Sequence, residues 1–315
     1  MRNYAFLFTG QGAQYEGMGK DLYEKRQIFK NVFDEASEHL KMNLIHICSN
    51  DPELKKTQNA QAAIFTMSYG IFEISQYAKL PNCATGFSLG EITSLAAAKI
   101  LSFTDALDLI KIRGEIMQEA CEQNPGSMYS VLGADDEFVE EVCATVSKTN
   151  GYVIPANYNC PGQIVISGEI KAVEKAVNIL TEKKIRTIKL NVAGAFHSKL
   201  MQHKQKEFTD FLETLNYTKP RFDLYSNVTG KKFDFDNINN IKTFMIDYIP
   251  KQMSNPVRFR EELENMENDG CDTFIEIGAG KTLTGLVKRT CKNEKTASLY
   301  INDAATLEAA LGMFD

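Results

Sequence analysis

Gly86-Phe87-Ser88-Leu89-Gly90 has the form G-x-S-x-G, in which small flanking residues let the backbone turn sharply from a strand into a helix and expose the serine hydroxyl. Upstream, Cys83-Ala84-Thr85 reads as a short buried strand; downstream, residues 91–100, with Leu95-Ala96-Ala97-Ala98, read as a helix packed closely on a sheet. A serine on such a turn points its Oγ above the sheet, with the Leu89 N–H at the helix N-terminus available to an oxyanion. The same residues also fit a Gly-Ser turn without chemistry. Both readings require a strand–turn–helix unit.

Working outward, Tyr4–Phe8 is an apolar run that ends in Thr9-Gly10-Gln11-Gly12-Ala13-Gln14, a buried strand entering a glycine-rich turn. Such turns at the carboxyl ends of parallel strands are where α/β sheets build sites. Helical periodicity follows at 28–40, with Ile28, Val32 and Ala36 on one face, and at 60–78, with Ile64, Met67, Ile71 and Ile74. Ser102-Phe103-Thr104-Asp105 fits a helix start, and that helix should run to about residue 121. Within it Arg113 shares the apolar stripe of Leu109, Ile110, Ile116 and Met117. A buried arginine needs an anion or a hydrogen-bond network; a side chain snorkelling to water is the alternative.

The pattern changes between 128 and 192. Strands at 128–132, 153–157, 163–167 and 186–192 and helices at 135–148 and 170–184 give the order β-α-β-β-α-β of a ferredoxin-like unit. Beyond it come Gly194-Ala195-Phe196-His197-Ser198, a helix at 199–215 and an extended 224–228. Helices at 240–253 and 257–266, a strand at 273–277, a helix after Gly280, a strand at 298–301 and a last helix from 304 follow. The expected fold is therefore α/β: an α/β-hydrolase-like catalytic domain with a parallel sheet from 1–126 and 194–315, and an inserted ferredoxin-like βαββαβ subdomain at 127–193.

A chain of 315 residues with 43% hydrophobic and 24% charged residues is of ordinary globular type. Its net charge of −6 argues against nucleic acid as a partner. Seven cysteines without a C-x-x-C pair read as free thiols in a reducing cytoplasm, and no metal site is expected. No apolar stretch approaches the ~20 residues of a membrane span, and the N-terminal apolar run is too short for a signal peptide. Gly278-Ala279-Gly280-Lys281-Thr282 is not a phosphate loop, because Ile275 stands where that loop needs glycine.

A serine nucleophile needs a base. His39, His46 and His203 lie on or beside helices, whereas His197 follows a Gly-Ala-Phe turn at a predicted strand end, a position from which catalytic side chains are presented.

Nearly the whole chain resembles the malonyl-coenzyme A:acyl carrier protein transacylase family of fatty acid and polyketide synthesis. Six ordered segments carry the resemblance: Phe8 to Gln14, Gly86 to Glu91, Arg113-Gly114 with Met117-Gln118, Gly194 to Ser198, Gln252 with Asn255-Pro256-Val257, and Glu276 to Gly280. It implies that Ser88 takes the acyl group and His197 shuttles its proton. The backbone N–H groups of Gln11 and Leu89 would form the oxyanion hole, and a main-chain carbonyl carried onto Gln252 would orient the histidine. Arg113 would bind the malonyl carboxylate.

The substrates implied are malonyl-coenzyme A and a holo acyl carrier protein, with no bound cofactor, in a cytoplasmic monomer. Carrier proteins are acidic, so Lys199, Lys281, Lys288 and Arg289 are candidate docking residues. A freestanding polyketide acyltransferase, an acyl hydrolase and an inactive carrier-binding scaffold are the other readings. Phe87 and Thr9 depart from the family's usual histidine and proline.

Overall fold

The computed structural model describes residues 2–192 and 194–314; Met1, Ala193 and Asp315, at the edges of the expected segments, lie outside the described residues. Strands β1 (Tyr4–Phe8), β2 (Cys83–Gly86), β7 (Asp223–Leu224), β8 (Thr273–Ile277) and β9 (Ala297–Ile301) form a sheet in the order β7-β2-β1-β8-β9. Every neighbouring pair in it is parallel. β1, β2 and β8 are buried along their whole length, which is why they read as unbroken apolar runs. The helix Thr57–Ala78 is buried on nearly all sides, and its Phe72 packs edge-to-face on Phe6 and Phe8 of β1.

Strands β3 (Gly126–Leu132), β4 (Val153–Cys160), β5 (Gln163–Glu169) and β6 (Arg186–Lys189) make a second, antiparallel sheet in the order β4-β5-β3-β6. Helices Asp136–Thr149 and Ile170–Glu182 complete its β-α-β-β-α-β order. The chain enters and leaves this unit side by side, through a bridge between Pro125 and Gly194. A third tie comes from Val257, whose carbonyl accepts the Tyr158 N–H at 2.8 Å and whose N–H donates to the Ala156 carbonyl at 2.9 Å.

Three local expectations are corrected. The first long helix, Gln27–Leu40, buries Phe29, Val32, Phe33 and Ala36, while Ile28 is 40% exposed; the two phenylalanines shift the buried face one position from the aliphatic stripe. The helix expected at 199–215 is split into a 3-10 turn, Lys199–Met201, and a helix, Gln205–Thr214. Lys204 takes a left-handed conformation between them, which interrupts the helix, and pairs with Glu119 at 2.7 Å. The extended 224–228 shrinks to the end of β7, because Ser226 closes a turn with its carbonyl accepting the Gly230 N–H at 2.8 Å.

Candidate active site

Ser88 sits between β2 and the helix Leu89–Ala97 with φ 54 and ψ −99, outside the regions a serine favours. A side chain held there costs about 1–3 kcal/mol and persists only where its surroundings fix it. Here they do. A Cβ on Gly86 would come within 2.0 Å of the Gly90 carbonyl carbon, and one on Gly90 within 2.1 Å of the Phe8 carbonyl oxygen. On Gly10 it would meet the Phe87 carbonyl oxygen at 2.2 Å, so the first glycine-rich turn is pressed against the serine turn. The Ser88 N–H donates to Asn227 Oδ1 at 2.9 Å, and Gln252 Nε2 donates to the Ser88 carbonyl at 2.8 Å. Thr9, where the family usually has proline, donates its N–H to the Ile277 carbonyl at 3.2 Å, a bond proline cannot make.

His197 is 4% exposed, with Nε2 2.7 Å from Ser88 Oγ and Nδ1 3.1 Å from the Gln252 main-chain oxygen. A carbonyl only accepts, so Nδ1 carries the hydrogen and Nε2 is free to accept from the serine. Burial, and then the Arg113 cation, lower the imidazole pKa to about 4. The ring is presented from a backbone with φ 56, and Ser167 of β5 donates to the adjacent Phe196 carbonyl at 2.8 Å.

Arg113 is 1% exposed on the helix Phe103–Gln123, which settles its side chain as buried and not snorkelling. Nη1 donates to Gln61 Oε1 at 2.9 Å and Nη2 to Ser88 Oγ at 3.1 Å, while Nε is buried without a partner. Among the described residues Arg113 forms no ion pair. Burial lowers its pKa to about 10, opposed by the charge of Glu91. A guanidinium in this state is short of one anion.

Gln11 lies in the glycine-rich turn pressed on the serine turn, and Leu89 follows Ser88 as the first residue of its helix. Neither backbone N–H is engaged in a hydrogen bond among the described residues, and Gln11 Oε1 accepts from Gln61 Nε2 at 3.2 Å. Beside the serine turn lies a cavity of about 480 Å³, lined by Gly10, Gln11, Phe87, Asn159, Gln163 and Leu286 among others. It runs between the two sheets and reaches the turn at Phe87; Ser88, His197 and Arg113 do not line it.

The four basic residues are all exposed, but they are not gathered into one patch of free cations. Arg289 donates to Gln163 Oε1 at 2.6 Å and to the Pro161 carbonyl at 3.1 Å, which puts it on the cavity rim. Lys199 lies 4.2 Å from the centre of the Tyr152 ring, and Lys281 lies 6.0 Å from that of Tyr300. No group of three or more His, Cys, Asp or Glu side chains that could hold a metal ion occurs among the described residues.

Sequence reasoning missed Gln61 and Asn227. Gln61 lies three positions before Ile64, a polar residue on a buried stripe, and the argument used for Arg113 applies to it equally. Asn227 sits in a turn without periodicity, and nothing in its neighbours marks it.

The acyl transferase domain model matches residues 5–310. The malonyl CoA-acyl carrier protein transacylase of Bacillus subtilis is 38% identical over 99% of this chain and 97% of that protein. The crystal structure of MCAT from Streptococcus pneumoniae superposes with a TM-score of 0.90 at 36% identity, covering 99% of this chain and 100% of that one. A type II PKS acyl-carrier protein in complex with its malonyl-transacylase matches with a TM-score of 0.91 at 33% identity, covering 99% of both chains. The serine, histidine and arginine thus converge in a chain that belongs to the acyl transferase family and is an acyltransferase.

Proposed function

We propose that this chain moves the malonyl group of malonyl-coenzyme A to the phosphopantetheine thiol of an acyl carrier protein in fatty acid synthesis. The observation that carries the reading is the buried Arg113 guanidinium, without an anionic partner, 3.1 Å from Ser88 Oγ. A neutral acyl chain would leave that cation uncompensated, whereas the free malonyl carboxylate pairs with the unpartnered Nε and takes Nη2 over from its contacts with Ser88 Oγ and Gln252 Oε1. The names of the Bacillus and Streptococcus relatives agree with this choice of acyl donor.

In the first half-reaction Ser88 Oγ attacks the thioester carbonyl as His197 Nε2 takes its proton. The tetrahedral oxyanion faces the Gln11 and Leu89 N–H groups. Collapse breaks the C–S bond, and His197 returns the proton to the departing coenzyme A thiolate. In the second half-reaction the pantetheine thiol gives its proton to His197 and attacks the Ser88 ester, and the proton returns to Ser88 Oγ. The cavity between the sheets suits a thin pantetheine arm entering past Phe87. The reading calls for no cofactor and takes the chain as a cytoplasmic monomer. Arg289 and Lys288, on the helix beside the cavity, are the docking residues favoured for an acidic carrier; Lys199 and Lys281 are secondary.

Mass spectrometry tests this directly. Malonyl-coenzyme A should leave a malonyl ester on Ser88 that holo carrier protein discharges much faster than water does; no adduct, or equal loss to water, would remove the reading. The complex between a polyketide carrier and its malonyl-transacylase favours a second reading with the same chemistry and a polyketide carrier. Discharge rates with the two carrier types separate the two.

A further inference from the structure

Behind the serine turn lies a polar cluster that the transfer steps do not use. At its centre is Asn227, 1% exposed, in the turn that follows β7. Its Oδ1 accepts the Ser88 N–H at 2.9 Å and Gln252 Nε2 at 3.3 Å. Its Nδ2 donates to the Gly86 carbonyl at 2.8 Å and to Glu262 Oε1 at 2.9 Å. The amide can sit only this way round, because the Ser88 N–H only donates and the Gly86 oxygen only accepts. Two donors and two acceptor sites are all in use.

The cluster is anchored from behind. The Asn227 N–H donates to Glu91 Oε1 at 3.1 Å, and Tyr248 Oη donates to the same oxygen at 2.5 Å. Ser226 Oγ stands 2.8 Å from Tyr248 Oη, and Glu262 Oε2 accepts from Thr85 Oγ1 on β2. Glu91 lies on the helix that Ser88 opens, and Glu262 on the helix Phe259–Asn268. The residue that grips the serine peptide is therefore itself held from three helices, by Glu91, Gln252 and Glu262, and Thr85 of β2 holds Glu262 in turn.

We propose that Asn227 is the positioning residue of the nucleophile. It bonds the peptide groups on both sides of Phe87, at Gly86 O and Ser88 N, and so fixes the left-handed backbone at Ser88. Through Gln252 it couples that backbone to the residue whose main-chain oxygen orients His197. Without it the serine peptide relaxes and Oγ leaves the line to His197 Nε2, while Arg113 and Gln61 keep their places. The inference rests on the nucleophile role given to Ser88 above, and not on the identity of the acyl group.

The test compares Asn227→Ala with Ser75→Ala, which removes an equally buried side-chain bond, to the Ile71 carbonyl, in a helix away from the site. Ser88 labelling by phenylmethylsulfonyl fluoride, kcat and KM for malonyl-coenzyme A, and Tm are measured on each. Asn227→Ala should slow labelling and kcat by about 30-fold or more while KM stays within about twofold, the effect of nucleophile misplacement and not of lost binding. Ser75→Ala should lower Tm without slowing labelling. Labelling and kcat within about threefold of the unmodified protein overturn the proposal, whatever happens to Tm. If the alanine variant fails to fold, Asn227→Asp, which keeps the shape but loses the donors to Gly86 and Glu262, is read by the same criterion. Labelling of the unmodified protein also separates the two ideas: a serine that is sulfonylated but never malonylated removes the malonyl reading alone, and one that is never sulfonylated removes this one.

Discussion

His197 Nδ1 stands 3.1 Å from the main-chain oxygen of Gln252, so the base is oriented by a neutral acceptor instead of a carboxylate. With no anion beside it, and with burial and Arg113 both opposing protonation, its pKa falls to about 4. Single-turnover acylation should therefore stay flat on acidification from neutral pH and fall only near pH 4. Arg113→Ala removes the cation that disfavours protonation, so its acid limb should move toward neutral pH. An unmodified enzyme that loses activity near the ordinary histidine value of about 6.5 would contradict this account.

Arg113→Ala also reports on selectivity. Truncating one member of a buried, hydrogen-bonded charge pair costs about 3 kcal/mol, so kcat/KM for malonyl thioester should fall on the order of 100-fold. Acetyl thioester gains no carboxylate contact from Arg113 and should lose far less. Competition between the two substrates measures the ratio; parallel losses would show that the arginine does not read the carboxylate.

Gly10→Ala tests the pressing of one turn on another. The added methyl would meet the Phe87 carbonyl oxygen at 2.2 Å, a backbone atom that cannot swing away. The turn carrying Gln11 must move instead, and with it one of the two N–H groups offered to the oxyanion. Acylation should drop by about 100-fold, with a lower Tm. A variant with normal acylation would mean that the turn adapts without disturbing the Gln11 N–H.

Phe87 bears on stability more than on proton transfer. Its ring packs edge-to-face on Phe259 with centroids 5.3 Å apart and also walls the cavity. Phe87→His should lose about 1 kcal/mol by denaturant titration and keep acylation within about threefold. A large loss of acylation with unchanged stability would assign the ring a role in substrate entry.

Burial pushes the Glu91 carboxyl up from 4.5 to about 7. The unfolded chain ionises first as pH rises, so the stability tied to protonated Glu91 is complete below 4.5 and is lost on the way to about 7. His197 works in the opposite direction: its folded pKa is depressed, and stability tied to its neutral ring is lost as pH falls from 6.5 toward 4. Glu91→Gln removes only the first effect, so its urea midpoint should decline less than the unmodified protein's between about pH 5 and 7.5. Parallel curves would show that Glu91 keeps one charge state throughout.

The parallel core was legible because β1, β2 and β8 are buried on both faces and read as apolar runs. The small sheet was legible from its alternation of strands and helices. Ser88 and His197 stood out because each follows a glycine-containing strand end, and Arg113 because it breaks an apolar stripe. Asn227 was not legible, since its role comes from a turn without periodicity whose bonds to Gly86, Ser88 and Glu91 span more than a hundred residues of chain. The break before Gln205 was hidden too: Lys204 takes a left-handed conformation there and pairs with Glu119, while local propensity favours a continuous helix.

Ser167 belongs to the four-stranded unit, yet its hydroxyl holds the carbonyl next to the base. The unit begins and ends at the paired Pro125 and Gly194, a layout that invites exchange as a cassette between relatives. His197 lies three residues past that junction, so a transplanted unit that lacks a donor at position 167 would fold correctly and still deliver a misaimed base.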